Sequence, residues 1–392
     1  MKIRSTVIAT TGLLVVAAAH AQSSVTLYGV IDTGVMYVSG QKSSTGAGSS
    51  NWLINSGTLT TPRWGLRGNE DLGGGLSAIF WLENGFNSST GTLRNGGTFF
   101  GRQAAVGIQS QQFGALTLGR QYDFLVNYLQ PLSGAGAGGL GNNIAIHPFD
   151  NDNIGNNVRI NNSVKFSSTS FGGLKVGAMY AFSGAAGGFG NGSAYSGGAS
   201  YSYGPLDFAA AYLQINGTRV AGSAGGATST SDFDAESLGG RQQIYGAGVK
   251  YRIGESSIGL LWTHSSINNP TGIIQGASSY VVLPSGSSNL KFDNFDISGR
   301  YLVRPNLSLA AYYSYTIGEL SSATHGARPH WNQVMGQVDY LFSKRTDVYF
   351  EGLYQTVGGG NGLSVFNAEV GVLPPSATGS QLVVGAGIRH RF

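Results

Sequence analysis

The 392-residue chain contains no cysteine, which excludes disulfides and thiolate metal centres. Charge is scarce: Asp, Glu, Lys and Arg make up 11% of residues, against about 25% in an ordinary soluble domain. No run of about 20 apolar residues is present, so no helix of the kind that crosses a bilayer is encoded. Insertion into a membrane must therefore be by strands. The formal net charge of +4 and pI near 9.1 are too weak a basic excess for a nucleic-acid footprint. What is plentiful is glycine, 63 residues, with 19 tyrosines and 19 phenylalanines. Disordered chains have the reverse composition, rich in charge and poor in aromatics. Low charge with many aromatics fits a sheet wet on one face and oiled on the other.

The first residues carry Lys2 and Arg4, then an apolar stretch at 13–19, then Ala19-His20-Ala21. A basic head, apolar middle and small-residue site predict an export signal, 1–21, cleaved before Gln22. Losing Lys2 and Arg4 takes the net charge from +4 to +2, since 4 − 2 = 2. Export without cysteine is compatible with a Gram-negative periplasm or outer membrane.

From Val25 onward the pattern has period two. Leu174, Val176, Ala178, Tyr180 and Phe182 share one strand face, with Lys175, Gly177, Met179 and Ala181 opposite. Leu307, Leu309, Ala311, Tyr313 and Tyr315 alternate with Ser308, Ala310 and Ser314. In the last stretch Leu382, Val384, Ala386, Ile388, His390 and Phe392 alternate with Gln381, Val383, Gly385, Gly387, Arg389 and Arg391. Short connections at 70–75, 110–114, 169–173, 203–205, 253–255, 303–306 and 342–345 alternate with long ones at 39–58, 85–98, 122–157, 184–194, 217–240, 269–290, 318–330 and 358–380. Tight turns on one side and long loops on the other predict an all-β, transmembrane, 16-stranded antiparallel β-barrel, a single domain over 22–392. A soluble sandwich would not put polar residues on the inner face of nearly every strand. In a closed barrel the last strand can pair with the first.

Several stretches resemble Gram-negative general porins, in their low-charge beta-proteobacterial branch. They are the first strand at 25–32, Arg63-Trp64-Gly65-Leu66-Arg67-Gly68-Asn69-Glu70-Asp71-Leu72-Gly73, the run 113–122, Asn161-Asn162-Ser163-Val164-Lys165-Phe166 and the closing Arg391-Phe392. The resemblance covers the whole mature chain. It implies a homotrimeric pore in the cell outer membrane, among lipid and lipopolysaccharide, with its third loop folded into the barrel.

The connection 122–157 is the longest, and loops beyond about 15 residues are usually functional or disordered. It holds Tyr122, Phe124, Tyr128, Pro131 and other apolar residues that need burial, so packing against the inner wall is expected. Strand parity turns Arg63 and Arg67 inward, opposite Trp64 and Leu66. Arg159 shares a face with Asn161, Ser163 and Lys165, opposite Ile160, Val164 and Phe166; the family pattern puts Arg102 inside. These three strands belong to one arc, and Arg63, Arg102 and Arg159 fall at similar heights. A basic ladder facing the loop is expected, with partial pairing to Asp123, Asp150 or Asp152. Arg120 shares parity with Leu116 and Leu118 and reaches the lumen only if the chain bends. Asp32 faces inward on the first strand. The acidic signature of the family's third loop is absent: Gln130-Pro131-Leu132-Ser133-Gly134 stands in its place.

Together these predict a passive diffusion channel for small hydrophilic solutes and ions, with mild anion preference and no cofactor. The alternatives are a porin specific for a small anion or sugar, and a barrel enzyme. The enzyme reading lacks a constellation around His147 or His264. Asp150 and Asp152 have calcium-like spacing without a closing glutamate, so a solvated or hydrogen-bonded loop is expected there and no metal.

Overall fold

The computed structural model describes residues 23–136, 138–218, 225–276 and 279–392; the expected export signal, 1–21, lies outside them. One antiparallel sheet contains β1 (Ser24–Lys42), β2 (Gly48–Ser56), β3 (Arg63–Gly73), β4 (Leu76–Gly85), β5 (Gln103–Ser110), β6 (Gly114–Gln121), β7 (Ile160–Ser168), β8 (Leu174–Ala181), β9 (Ala194–Tyr203) and β10 (Leu206–Thr218). It continues through β11 (Ser237–Ile253), β12 (Ser256–Asn268), β13 (Gly272–Gln275), β14 (Ser279–Val282), β15 (Ser287–Arg304), β16 (Leu307–Ser322), β17 (His330–Leu341), β18 (Thr346–Gly358) and β19 (Ser380–Arg391). β1 pairs with β19 over Val30–Val38, which closes the barrel. β2 and β3 pair with successive parts of β1 and form one broken wall strand. β13 and β14 make a hairpin off the wall, while β12 pairs directly with β15. Counting β2 with β3 and setting the hairpin aside leaves sixteen wall strands.

Closure accounts for the last residue. Phe392 exchanges two backbone hydrogen bonds of 3.0 Å with Gly29. Gly29 has no side chain because a Cβ would overlap the Phe392 ring. Val25, Leu27, Ile31 and Val35 on β1 are exposed, while Asp32, Met36 and Val38 on the opposite parity are buried. The same alternation runs along β15 to β19, so the exposed face is the apolar one.

The expected connection 39–58 is corrected. β1 runs on to Lys42 and turns straight into β2. The irregular part is 57–62, where the chain leaves the wall and enters the barrel. Gly57 has φ +85°, and Pro62 cannot donate to a ladder. Asp32 fastens this break, accepting the N–H of Leu59 at 3.0 Å and of Thr60 at 2.7 Å.

The long third loop, 122–159, lies inside. Phe124, Leu125, Leu129, Leu132, Ile146 and Ile154 form a buried cluster with wall residues such as Met179, Leu213 and Ile244. The wall makes room with glycine: a Cβ on Gly177 would overlap Phe124, and one on Gly198 would lie 3.0 Å from Tyr128.

Candidate functional site: a basic ladder beside the inward loop

Arg63 opens β3, Arg102 immediately precedes β5, and Arg159 immediately precedes β7. All three reach the barrel interior from the same arc. Glu83, inward on β4, lies between the first two: its carboxylate is 3.5 Å from Arg63 Nε and 2.7 Å from Arg102 Nε. Tyr122, the first residue of the loop, sits between Arg102 and Arg159, whose guanidinium carbons are 5.9 and 5.6 Å from its ring centre. Arg159 also donates to Asn157 O at 2.6 Å. Arg67, lower on β3, lies over the Tyr28 ring at 5.7 Å.

Two features depart from simple parity. Gly119 has φ +129°, and pairing between β6 and β7 shifts register there. That bend brings Arg120 inside, where its Nε donates to Gly101 O at 2.8 Å. Asn162 has φ +52°, and Ile160 is fully buried in the loop cluster, not facing lipid as expected.

The loop carboxylates expected to pair with the ladder do not. Asp123 is fully buried and accepts from Leu125 N at 2.6 Å and Asn153 Nδ2 at 2.5 Å, capping the start of the loop. Asp150 accepts from Gly155 N and Asn157 N. Burial first, then the neighbouring Asp152, pushes its carboxyl up to about 8. Asp152 accepts from His147 at 2.7 Å and from the Thr263 hydroxyl. These bonds occupy the suggested calcium ligands, and no group of three or more His, Asp or Glu side chains placed to hold a metal ion is found among the described residues. Asp32 is likewise buried, bound to the 57–62 break and to Tyr349 Oη at 2.6 Å. Asp32 and Asp123 thus hold segments in place and present no carboxylate to open space.

The actual counter-charges are Glu83 and two acids ahead of β11. Asp234 contacts Arg120 and lies 3.9 Å from Arg159; Asp232 is 3.7 Å from Arg120. Phe124 and Tyr128 pack on each other at 5.1 Å. Pro131 supplies a carbonyl to Lys250. Phe124, Tyr128 and Pro131 therefore fix the loop to the wall.

Arg94, between β4 and β5, was not anticipated. It lines a cavity of about 280 Å³ with Arg159, Asn143, Asn157 and Asp232. Burial, then Arg102 and Arg159, lowers its pKa to about 10, and no carboxylate among the described residues lies within ion-pair distance. A loop arginine carries no periodic signal. Glu83 was not anticipated either, although it shares parity with Trp81 on the inner face. Trp81 donates to Gln103 Oε1 at 3.0 Å and, with Tyr28 and Arg67, lines a second space of about 610 Å³.

His147 is buried between Asp152 and Asp296, with its other ring nitrogen 3.7 Å from the latter. His264 pairs with Asp293 at 2.8 Å on the parity of exposed Trp262.

The comparisons agree with this architecture. The chain is 31% identical to an outer membrane porin protein of Bordetella pertussis, over 96% of each chain. An anion-selective porin from Comamonas acidovorans superposes with TM-score 0.68 and 24% identity, over 95% of this chain and all of that one. The trimer form of OmpT from Vibrio cholerae superposes with TM-score 0.62 and 16% identity, over 94% and 99%. The Gram-negative porin family model matches residues 6–360. A closed sixteen-stranded barrel with an inward loop, a relative alike from end to end and a family model spanning most of the sequence make this chain a Gram-negative porin, a diffusion channel of the outer membrane.

Proposed function

We propose that this porin passes small hydrophilic solutes with a mild preference for anions, set by Arg63, Arg102 and Arg159. The observation that carries this is the charge balance along the ladder. Arg63 and Arg102 share one carboxylate, Glu83, and Arg94 has no carboxylate partner among the described residues. The two spaces, one beside Arg94 and Arg159 and one beside Arg67, are then sections of one passage, with Arg63 and Arg102 between them. Width and local field select the solute there. The Comamonas porin of similar fold is described as anion-selective, which supports the same sign.

The working unit is a homotrimer. β5 and β6 have eight residues each, about 20 Å of height at the usual rise and tilt, below the apolar band of about 25 Å that lipid requires. A wall that short is better covered by a sister subunit. The trimeric OmpT structure shares the fold. No covalent chemistry is assigned: neither His147 nor His264 stands beside a nucleophile in an open cavity.

The test is substitution of the three arginines by glutamine, followed by planar-bilayer recording. Loss of anion preference with trimers intact is the expected result. An unchanged reversal potential would remove the ladder from the selectivity mechanism. Trp81 and Tyr28 in the lower space favour a second reading, a sugar or aromatic solute site, which saturable block by one such solute would reveal.

A further inference from the structure

The upper end of the ladder carries three guanidiniums, Arg94, Arg120 and Arg159, and two close carboxylates, Asp232 and Asp234. The carboxylates come from a segment remote in sequence. β6 and β7 stop low at Gln121 and Ile160, whereas β10 runs up to Thr218. The segment ahead of β11 lies across that low rim. Ala227 accepts from Asn161 N at 2.7 Å and donates to Gly192 O at 2.7 Å. Asp234 N closes a turn on Ser229 O at 2.9 Å. Gly96 leaves space for the Asp232 backbone, since a Cβ there would come within 2.6 Å of the Asp232 Cα. Asp232 also lines the cavity shared by Arg94 and Arg159.

We propose that this segment carries a built-in counter-ion: Asp234, with Asp232 beside it, neutralises part of the ladder and sets how strongly the passage favours anions. This rests on the ladder lining the passage. A third acid, Glu236, sits on the same cavity but belongs to a different class. No guanidinium among the described residues lies within ion-pair distance of it, and burial, then Asp150, raises its carboxyl well above the usual range. For Asp234 burial likewise raises the carboxyl well above the usual range, with Arg120 and then Arg159 opposing; what sets it apart is geometry, its direct ion pair with Arg120 and its 3.9 Å approach to Arg159. Three positive and two negative groups leave one net positive charge. Replacing Asp234 by an amide leaves two. The free anion no longer competes with a resident one for Arg120 and Arg159.

The experiment is reversal-potential recording of wild-type, D234N, D232N and E236Q porins at pH 8 under a KCl gradient. Heat-resistant migration on gels checks that each forms wild-type trimers. D234N is expected to raise the chloride-over-potassium permeability ratio by roughly two- to fivefold near 0.1 M salt, and less at 1 M, where screening shortens to about 3 Å. D232N shifts the ratio the same way by less, and E236Q leaves it in place. An unchanged ratio in assembled D234N overturns the proposal. If D234N does not assemble, D232N decides alone, and no shift in it overturns the proposal. A cation-preferring wild type contradicts the reading of the ladder; the shift of D234N relative to wild type still decides the counter-ion.

Discussion

Glu83 shows how much one side chain decides here. It is buried between two guanidiniums and also accepts from Tyr28 Oη at 3.0 Å. Replacing it with glutamine leaves two neighbouring positive groups uncompensated. Breaking a buried pair this way costs about 3–5 kcal/mol, so E83Q is expected to lower the thermal midpoint of trimer dissociation while increasing anion preference. A stable E83Q with unchanged selectivity would show the pair to be inert. His147 is a second case. Burial opposes its charge, but Asp152 and then Asp296 outweigh that and raise its pKa. A raised folded pKa gives stability that is complete below the unfolded value of about 6.5 and is lost as pH rises through the folded value. The loop anchor should therefore loosen on the alkaline side, seen as more frequent channel closures there in wild type but not in H147Q. At this scale Arg63 and Arg67 were legible from parity alone. Arg120 and Ile160 were not, because the bend at Gly119 and the left-handed Asn162 break the period that parity assumes.

At the scale of elements, the third loop and the wall are fitted to one another. The glycines on the inner faces of β8, β9, β11 and β12 are the matching half of the loop's apolar residues: Gly177 receives Phe124, Gly198 receives Tyr128, and Gly248 and Gly259 receive Leu132. A side chain at Gly177 would displace Phe124, and overpacking of this kind costs about 1–3 kcal/mol. G177V is expected to lift the loop start, with a changed single-channel conductance and faster proteolysis of the loop in folded trimers. Conductance and proteolysis equal to wild type would mean the loop tolerates the displacement. The apolar content of 122–157 was enough to foresee burial inside. Its binding partners were not foreseeable, because the acids ahead of β11 and the break at 57–62 are set by tertiary contacts. Asn143 shows this: its N donates to Thr58 O at 2.9 Å, joining loop to break across 85 positions of chain. The inward break itself was not foreseen, the long connection being expected to end at 58, since Gly57 and Pro62 mark a turn without saying which side of the wall it takes.

The whole molecule is a tube of unequal height. β15 and β16 have 18 and 16 residues, against eight in β5 and β6. Strand count and closure followed from alternating short and long connections, which the pairing of β1 with β19 satisfies. The unequal wall predicts that charged substitutions on the outer face of the low side, such as V106K or L118K, prevent trimer assembly. The same change on the tall side, such as I297K, would only weaken insertion. Trimer yield from refolded protein separates the two, and equal yields would argue against a subunit contact at the low wall. The central claim is that solutes pass a net-positive ladder between wall and loop. Reversal potential of the purified wild-type porin in a planar bilayer under a KCl gradient tests it most directly. The account predicts a sign corresponding to chloride permeating faster than potassium, with the difference shrinking as salt rises. A reversal potential of the opposite sign, or no conductance at all, would contradict it.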